Sequence, residues 1–265
     1  MKDIDQAKWI EKASYDDKRP CQFLTVCREN HIEFVVFYVM CGRFVRSSPI
    51  ALIGEIFNIR SMSTMSGAPP SYNIAPSQEI LIINDRGERE LLHCRWGFLP
   101  PWVKDLSEGN RMINARAETI DEKPSFKAAF KKQRCLIIAD GFYEWSKKKQ
   151  KKVPHYIRLK SGKPFGFAGL YNQWTSPEGD KICSCTIITT EANDLVQTIH
   201  DRMPVIVPRD KVDMWLDPSF QDAKALKEIL RSYPSEEMEM YQVSSNVNSV
   251  QFNSATNITP SNDAW

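Results

Sequence analysis

Four short stretches place reactive side chains at the ends of expected strands or helices. The first is Met40-Cys41-Gly42-Arg43-Phe44. Taken alone, Cys41 reads as a buried core thiol, because cysteine is among the most buried residues. The in-frame Met40 directly before it adds a second reading. A chain starting at Met40 would lose that methionine, leaving Cys41 with both a thiol and an α-amine. An α-amine titrates near pH 7.7–8, so a useful fraction is neutral at physiological pH. Amine and thiol on adjacent carbons trap an aldehyde: the amine forms an imine and the sulfur closes a thiazolidine ring. The second stretch, Met112 to Thr119, offers the Asn114 amide and the planar fork of Arg116. An ordinary turn with a surface arginine is the plainer alternative. In the third, Ala139 to Trp145, Glu144 lies between two aromatics. Facing inward, its pKa would rise and it could shuttle protons; facing outward, it is a common exposed glutamate. In the fourth, Ile199 to Pro204, His200 could act as acid or base near neutral pH, or simply complement a helix C-terminus.

These stretches need a scaffold, and the hydropathy pattern outlines one. Ser48-Pro49 before Ile50, Leu52, Ile53 and Ile56 reads as a capped helix with proline in its first turn. Residues 61–73 form a Ser/Gly/Pro-rich loop. Residues 80–83 and 90–98 flank Asp85-Arg86-Gly87, a hairpin signal. Residues 123–132 read as a short helix. Strands are expected at 135–143, 155–160, 165–171 and 182–189, with a hairpin about Ser161-Gly162-Lys163. Helices are expected at 191–199, 210–216 and 220–231, with strands at 203–207 and 238–244. Strands dominate and helices do not alternate with them. The expected class is α+β: one domain over 40–265, with a largely antiparallel, barrel-like sheet core and peripheral helices. Residues 1–39 differ, carrying 6 Lys/Arg against 7 Asp/Glu. They offer a weak amphipathic helix at 4–18 and a β-rich run at 34–40, and are read as an extension: a mis-set start or a propeptide.

Composition narrows the field. The 265 residues are 42% hydrophobic and 26% charged, which excludes a fibrous or disordered chain. A net charge of +2 does not announce nucleic-acid binding, yet it leaves room for a local basic groove. No apolar run reaches the ~18–20 residues of a membrane span. Seven cysteines without CxxC spacing read as free thiols in a reducing cytosol, not a disulfide framework. The four histidines do not pair with cysteines at zinc spacing, so no metal and no cofactor is expected.

Seven segments occur in order: CGRF (41–44), YNIAPS (72–77), RWGFLPPW (95–102), NARAET (114–119), ADGFYEW (139–145), FAGLYNQW (167–174) and IHDRMP (199–204). Together they resemble the SRAP-domain family, named for SOS-response-associated peptidases, over about residues 40–250. The resemblance implies covalent capture of abasic sites in single-stranded DNA through a thiazolidine to Cys41. It also implies self-cleavage that exposes Cys41, and a weak abasic-site lyase side activity. It assigns catalytic roles to Cys41, Asn114, Glu144 and His200. It gives phosphate contacts to Arg43, Arg116 and Arg202, and a DNA-splaying wedge to Pro76 and Trp102. Val103 follows Trp102 where some members carry a second tryptophan. The partner is then single-stranded DNA with abasic sites, met by a cytoplasmic, nucleoid-associated monomer without a membrane.

One departure matters. Here Cys41 is not residue 2, and an amide nitrogen cannot form an imine, so residues 1–39 must be absent or removed for this chemistry. Two rivals remain: a cysteine-dependent peptidase or amidohydrolase using Cys41, His200 and Glu144 or Asn114, and a non-covalent single-strand binder. The lysines at 147, 148, 149, 151 and 152 read as a solvated hairpin turn.

Overall fold

The computed structural model describes residues 41–59, 68–148 and 151–261, together with the backbone of 13–14, 21–28 and 31–38. In chain order its strands are β1 (Ala13–Ser14), β2 (Cys21–Arg28), β3 (His31–Tyr38), β4 (Phe44–Arg46), β5 (Ser71–Ile74), β6 (Glu79–Asp85), β7 (Arg89–Trp96), β8 (Asn114–Arg116), β9 (Arg134–Ala139), β10 (Gly141–Lys148), β11 (Lys151–Leu159), β12 (Phe165–Thr175), β13 (Lys181–Glu191), β14 (Arg202–Pro204) and β15 (Met238–Gln242). Its helices are α1 (Ile50–Phe57), α2 (Pro124–Lys132), α3 (Asp194–Gln197), α4 (Val212–Leu216) and α5 (Ala223–Ile229).

Period-2 alternation sorts these strands into layers. In β6, Leu81 and Ile83 join the apolar cluster that also holds Ile53 of α1, Phe130 of α2, Trp215 of α4 and Leu226 of α5. Ile80 and Ile82, on the other face, join Phe44 of β4, Phe142 of β10 and Ile157 of β11. The seven-stranded sheet runs β12-β9-β6-β7-β13-β14, with β8 added beside β13, and β12 also pairs β13, so the ladder returns to its starting strand. The five-stranded sheet runs β15-β11-β10-β4-β5. Most pairings are antiparallel; β13 runs parallel to β7 and β8. The expected α+β class with a barrel-like, mostly antiparallel core is therefore present. β1, β2 and β3 form a separate antiparallel sheet. The β-rich run at 34–40 enters β3 as far as Tyr38. The helix expected at 4–18 lies outside the described residues except at 13–14, which are strand.

Several local expectations are corrected. Ser48 does not cap α1; Pro49 holds the N-cap position, and Ser48 Oγ donates to Asp140 instead. The 61–73 loop ends in strand β5, and residues 61–67 lie outside the described ones. No hairpin joins β11 and β12: the Ser161–Lys163 turn carries the chain from the five-stranded sheet to the seven-stranded one. Turn chemistry fixes a reversal, not the partner reached after it. Not every described thiol is free. Parallel pairing of β7 and β13 sets Cys94 beside Cys183, with Cα atoms 4.6 Å apart, as a disulfide. Their sequence separation of 89 hid this contact. Cys41, Cys135 and Cys185 are free.

The correction with most consequence concerns 135–143, expected as one strand. The chain breaks at Asp140 and changes sheets: β9 pairs β6 and β12, whereas β10 pairs β4 and β11. Asp140 occupies the break. Its backbone N–H donates to Val45 O at 2.8 Å. Its carboxylate accepts from Ser47 N at 2.6 Å, Ser48 N at 2.9 Å and the Ser48 hydroxyl. Gly141 follows because the Tyr156 ring lies where a Cβ would sit, 2.4 Å away. Asp140 thus clips the end of β4 to the start of β10; Cys41 lies on the turn just before β4, and Glu144 lies on β10. Charge-assisted bonds to buried donors contribute about 1.5–3 kcal/mol each. Asp140→Ala is expected to lower stability by about 2–4 kcal/mol, read as a lower urea midpoint at unchanged m.

Candidate active site

Glu144 is the centre of the site, and its direction follows from strand alternation. On β10, Phe142 faces the core between the two sheets, while Tyr143 and Trp145 face the other way, toward Val243 and Val247. Glu144 shares the inward side with Phe142 and is 4% exposed. The sequence left the inward and outward readings open; the fold selects the inward one. Its Oε1 accepts the Cys41 N–H at 2.7 Å. Cys41 meets it from a turn with φ 46°, a left-handed conformation uncommon for a side-chain-bearing residue. Burial pushes the Glu144 carboxyl above its ordinary value; a charge on nearby His200 and the hydrogen bonds from Cys41 work in the opposite direction. Burial likewise holds the Cys41 thiol well above the usual thiol range, Glu144 adds to this, and the Arg202 guanidinium opposes it.

The other expected residues are held by separate elements. Asn114 opens β8, opposite Ile187 of β13, and is half-buried. The Trp96 indole fixes this edge by donating to Ile113 O at 2.9 Å, while its ring packs edge-on against Phe44 at 5.3 Å. His200 follows α3; its N–H donates to Val196 O at 2.9 Å, and its Nδ1 accepts from Arg202 N at 3.1 Å. Arg202 forms a bidentate pair with Glu118, with Nη2 to Oε2 at 2.9 Å, and also donates to Thr189 O at 2.7 Å. Desolvation opposes ionisation of Glu118, but Arg202 and Arg116 together hold its carboxyl below the ordinary value. Arg116 is exposed.

Arg43 has a different setting. It neighbours inward-facing Phe44, so its side chain leaves on the opposite side, toward Trp145 and the 244–253 segment. There Nη1 donates to Asn73 Oδ1 and to Val247 O, each at 2.7 Å, and the guanidinium lies 6.0 Å from the Trp145 ring centre. Arg43 is 4% exposed. Asn73 extends the same brace, donating to Ser249 O and Phe252 O at 2.8 and 2.9 Å. Pro76 sits on a half-buried turn. Trp102 is 58% exposed, the most exposed large apolar side chain among the described residues, while Val103 behind it is buried against Leu99 and Trp174. Among the described residues, no group of three His, Cys, Asp or Glu side chains could hold a metal, and no helix is long and apolar enough to cross a membrane.

The residue reading thus has Cys41, Glu144 and His200 in one place, with Arg202 close enough for its charge to act on Cys41. It missed Glu118, Asp140 and Asn73. All three stood inside quoted segments, yet their partners lie far along the chain: Arg202 at a separation of 84, Ser47 at 93 and Val247 at 174.

The comparisons define the class. The sequence profile of the SOS response associated peptidase (SRAP) family matches residues 40–250. A solved protein from Bacteroides thetaiotaomicron superposes with a TM-score of 0.73 at 26% identity, covering 83% of this chain and 100% of that one. Abasic site processing protein YoqW of Bacillus subtilis (strain 168) is 50% identical over 217 residues, 81% of this chain and 97% of its own length. Abasic site processing protein HMCES of Xenopus tropicalis is 32% identical over 216 residues, 69% of this chain and 64% of its own. The chain belongs to the SRAP family.

A pH test follows from Glu144. Its native pKa lies above the unfolded value of about 4.3. The stability it contributes is therefore full below about pH 4.3 and is lost as pH rises through the native value. Glu144→Gln has no such loss. Urea unfolding from about pH 4 to about pH 8 is expected to show wild-type stability falling relative to the variant, then running parallel once the carboxyl is ionised.

Proposed function

We propose that this protein processes abasic sites in single-stranded DNA by capturing them covalently on Cys41. The observation that carries the reading is the buried contact between the Cys41 nitrogen and Glu144 Oε1 at 2.7 Å. A carboxyl whose proton affinity is raised by burial, held on a nitrogen beside a thiol, suits imine formation. The relatives' names, abasic site processing proteins, support its coarser part, the processing of abasic sites.

The chemistry proceeds in steps that balance. An abasic sugar is mainly a closed hemiacetal, and His200 assists its opening by relaying the proton of the C1′ hydroxyl to the ring oxygen as the C1′–O4′ bond breaks. The neutral Cys41 amine attacks C1′ and gives a carbinolamine. Glu144 takes a proton from that nitrogen and returns one to the departing hydroxyl, so water leaves and an imine forms. The thiol stays protonated in its buried setting, so it delivers sulfur to C1′ as its proton passes to nitrogen through Glu144. The result is a thiazolidine, formed with net loss of one water. Asn114 orients the cysteine, and Arg116 and Arg202 hold phosphates. Base identity plays no part, and a single strand bends without breaking pairs. The protein acts as a monomer.

The step needs a free α-amine on Cys41, so residues 1–40 are absent from the reactive form. Translation from Met40 with methionine removal would achieve this, as would cleavage of the Met40–Cys41 bond assisted by Glu144 and His200. β-Elimination from the imine is the competing outcome, a weak lyase activity. A thiol peptidase acting on other chains is disfavoured by the raised proton affinity of Cys41, because such enzymes work through a preformed thiolate.

Denaturing electrophoresis tests this reading. The chain expressed from Met40 is mixed with a single-stranded oligonucleotide carrying one abasic site. A shifted band is expected that disappears with Cys41→Ala and when the aldehyde is first capped with methoxyamine. Glu144→Gln is expected to slow its formation about 100-fold or more. A band that survives Cys41→Ala contradicts the assignment.

A further inference from the structure

Two loops beside the site share one mounting. The first is the Pro76–Ser77 turn between β5 and β6. The second follows β7, carries Trp102, and ends in the short 3-10 helix Leu106–Arg111. Arg95, next to last in β7, reaches both. Its Nη1 donates to Ser77 O, and its Nη2 donates to Asn110 Oδ1 at 2.8 Å. The same Asn110 oxygen accepts the Ser77 hydroxyl at 2.7 Å. One guanidinium and one amide oxygen therefore close a triangle across three segments.

The backbone shows how firmly this is held. Ser77 has φ 72°, a left-handed conformation that a serine keeps only where its surroundings fix it. All of its polar groups are used: its N–H donates to Trp96 O at 2.8 Å, its carbonyl takes Arg95, and its hydroxyl takes Asn110. The base of the Trp102 loop is pinched as well. A Cβ on Gly109 would stand 2.6 Å from Gly97 O, so the loop's two ends close on each other through two glycines. At the loop's far side Trp102 and Leu106 are 58% and 38% exposed. A rigid root under an exposed aromatic is an arrangement for inserting that aromatic somewhere. Arg95, committed to a carbonyl and an amide, is placed to position protein, not to bind phosphate.

We propose that Arg95 is a positioning residue: with Asn110 and Ser77 it sets the spacing between Pro76 and Trp102, so that the two together part the bases flanking the abasic sugar. This rests on the abasic-site reading above. Its physical basis is preorganisation, since a wedge that must be ordered on binding loses part of its insertion energy to that ordering.

The test uses the chain expressed from Met40, as in the crosslinking assay, and a single strand carrying tetrahydrofuran, a stable abasic analogue without an aldehyde, beside 2-aminopurine. Fluorescence is read at saturating protein, where affinity no longer matters. Wild type is expected to brighten the 2-aminopurine as its neighbours unstack. Arg95→Met and Asn110→Leu are expected to lose that brightening, and Asn110→Asp, which keeps the shared acceptor oxygen, to retain it. Full brightening in both losing variants, with or without a lower melting temperature, overturns the proposal and leaves Arg95 a structural brace. Should Arg95→Met fail to fold, the two Asn110 variants decide. Wild type that binds without brightening refutes the wedge while sparing the abasic-site reading. Wild type that does not bind the strand at all overturns both.

Discussion

The Cys41 nitrogen and the Glu144 carboxylate meet at 2.7 Å inside the protein, and this contact sets what the surrounding structure must do. Burying a carboxyl costs free energy unless its charge is met or neutralised. Burial outweighs the compensation Glu144 receives from the neighbouring His200 and from hydrogen bonds of Cys41 and the Trp145 backbone, so its proton affinity rises. The same burial keeps the Cys41 sulfur protonated. A nitrogen, a sulfur and a proton-holding carboxyl are thereby kept out of water. That setting suits a reaction whose net step is loss of water from an amine and an aldehyde.

The scaffold reads as the means of keeping that contact. Asp140 interrupts what would otherwise be one strand and clips β4 to β10, which brings Cys41 over Glu144. Alternation on β4 sends Phe44 into the intersheet core and Arg43 to the outer side, where Arg43 and Asn73 tie the 244–253 segment over Tyr143 and Trp145. An arginine two residues from Cys41 is thus spent on architecture in this arrangement. Glu118 plays a comparable part for Arg202: it orients a guanidinium whose charge opposes the high proton affinity of the thiol. Phosphate contact by Arg202 would then exchange one anionic partner for another or share the fork between them.

Much of this was legible in the sequence, and the limits have physical causes. Period-2 patterning exposed most strands, and the turn signal at Asp85-Arg86-Gly87 gave β6 and β7 correctly, because a tight hairpin is a local event. The Ser161-Gly162-Lys163 turn misled, because the strands it joins separate into different sheets. The break at Asp140 was invisible, since an aspartate between Ala139 and Gly141 carries no sign that its carboxylate will be needed by Ser47 and Ser48, 93 and 92 positions earlier. The chemistry-bearing residues were read from their types and order. The partners that orient them, Glu118 for Arg202 and Asn73 for Arg43, are tertiary contacts, and only the fold supplies those.

The central claim is that the α-amine of Cys41 is the nucleophile, and one comparison of intact masses tests it directly. A chain beginning at Cys41 and the same chain with a single glycine before Cys41 are each incubated with abasic single-stranded DNA and weighed under denaturing conditions. The glycine-capped chain keeps the thiol, Glu144 and His200, and loses only the free amine on Cys41. The account predicts an adduct of protein plus DNA minus one water for the first chain, with the added mass on the terminal cysteine, and no such linkage at Cys41 for the second. An equal yield of adduct on Cys41 in both would contradict it, because the sulfur alone would then suffice.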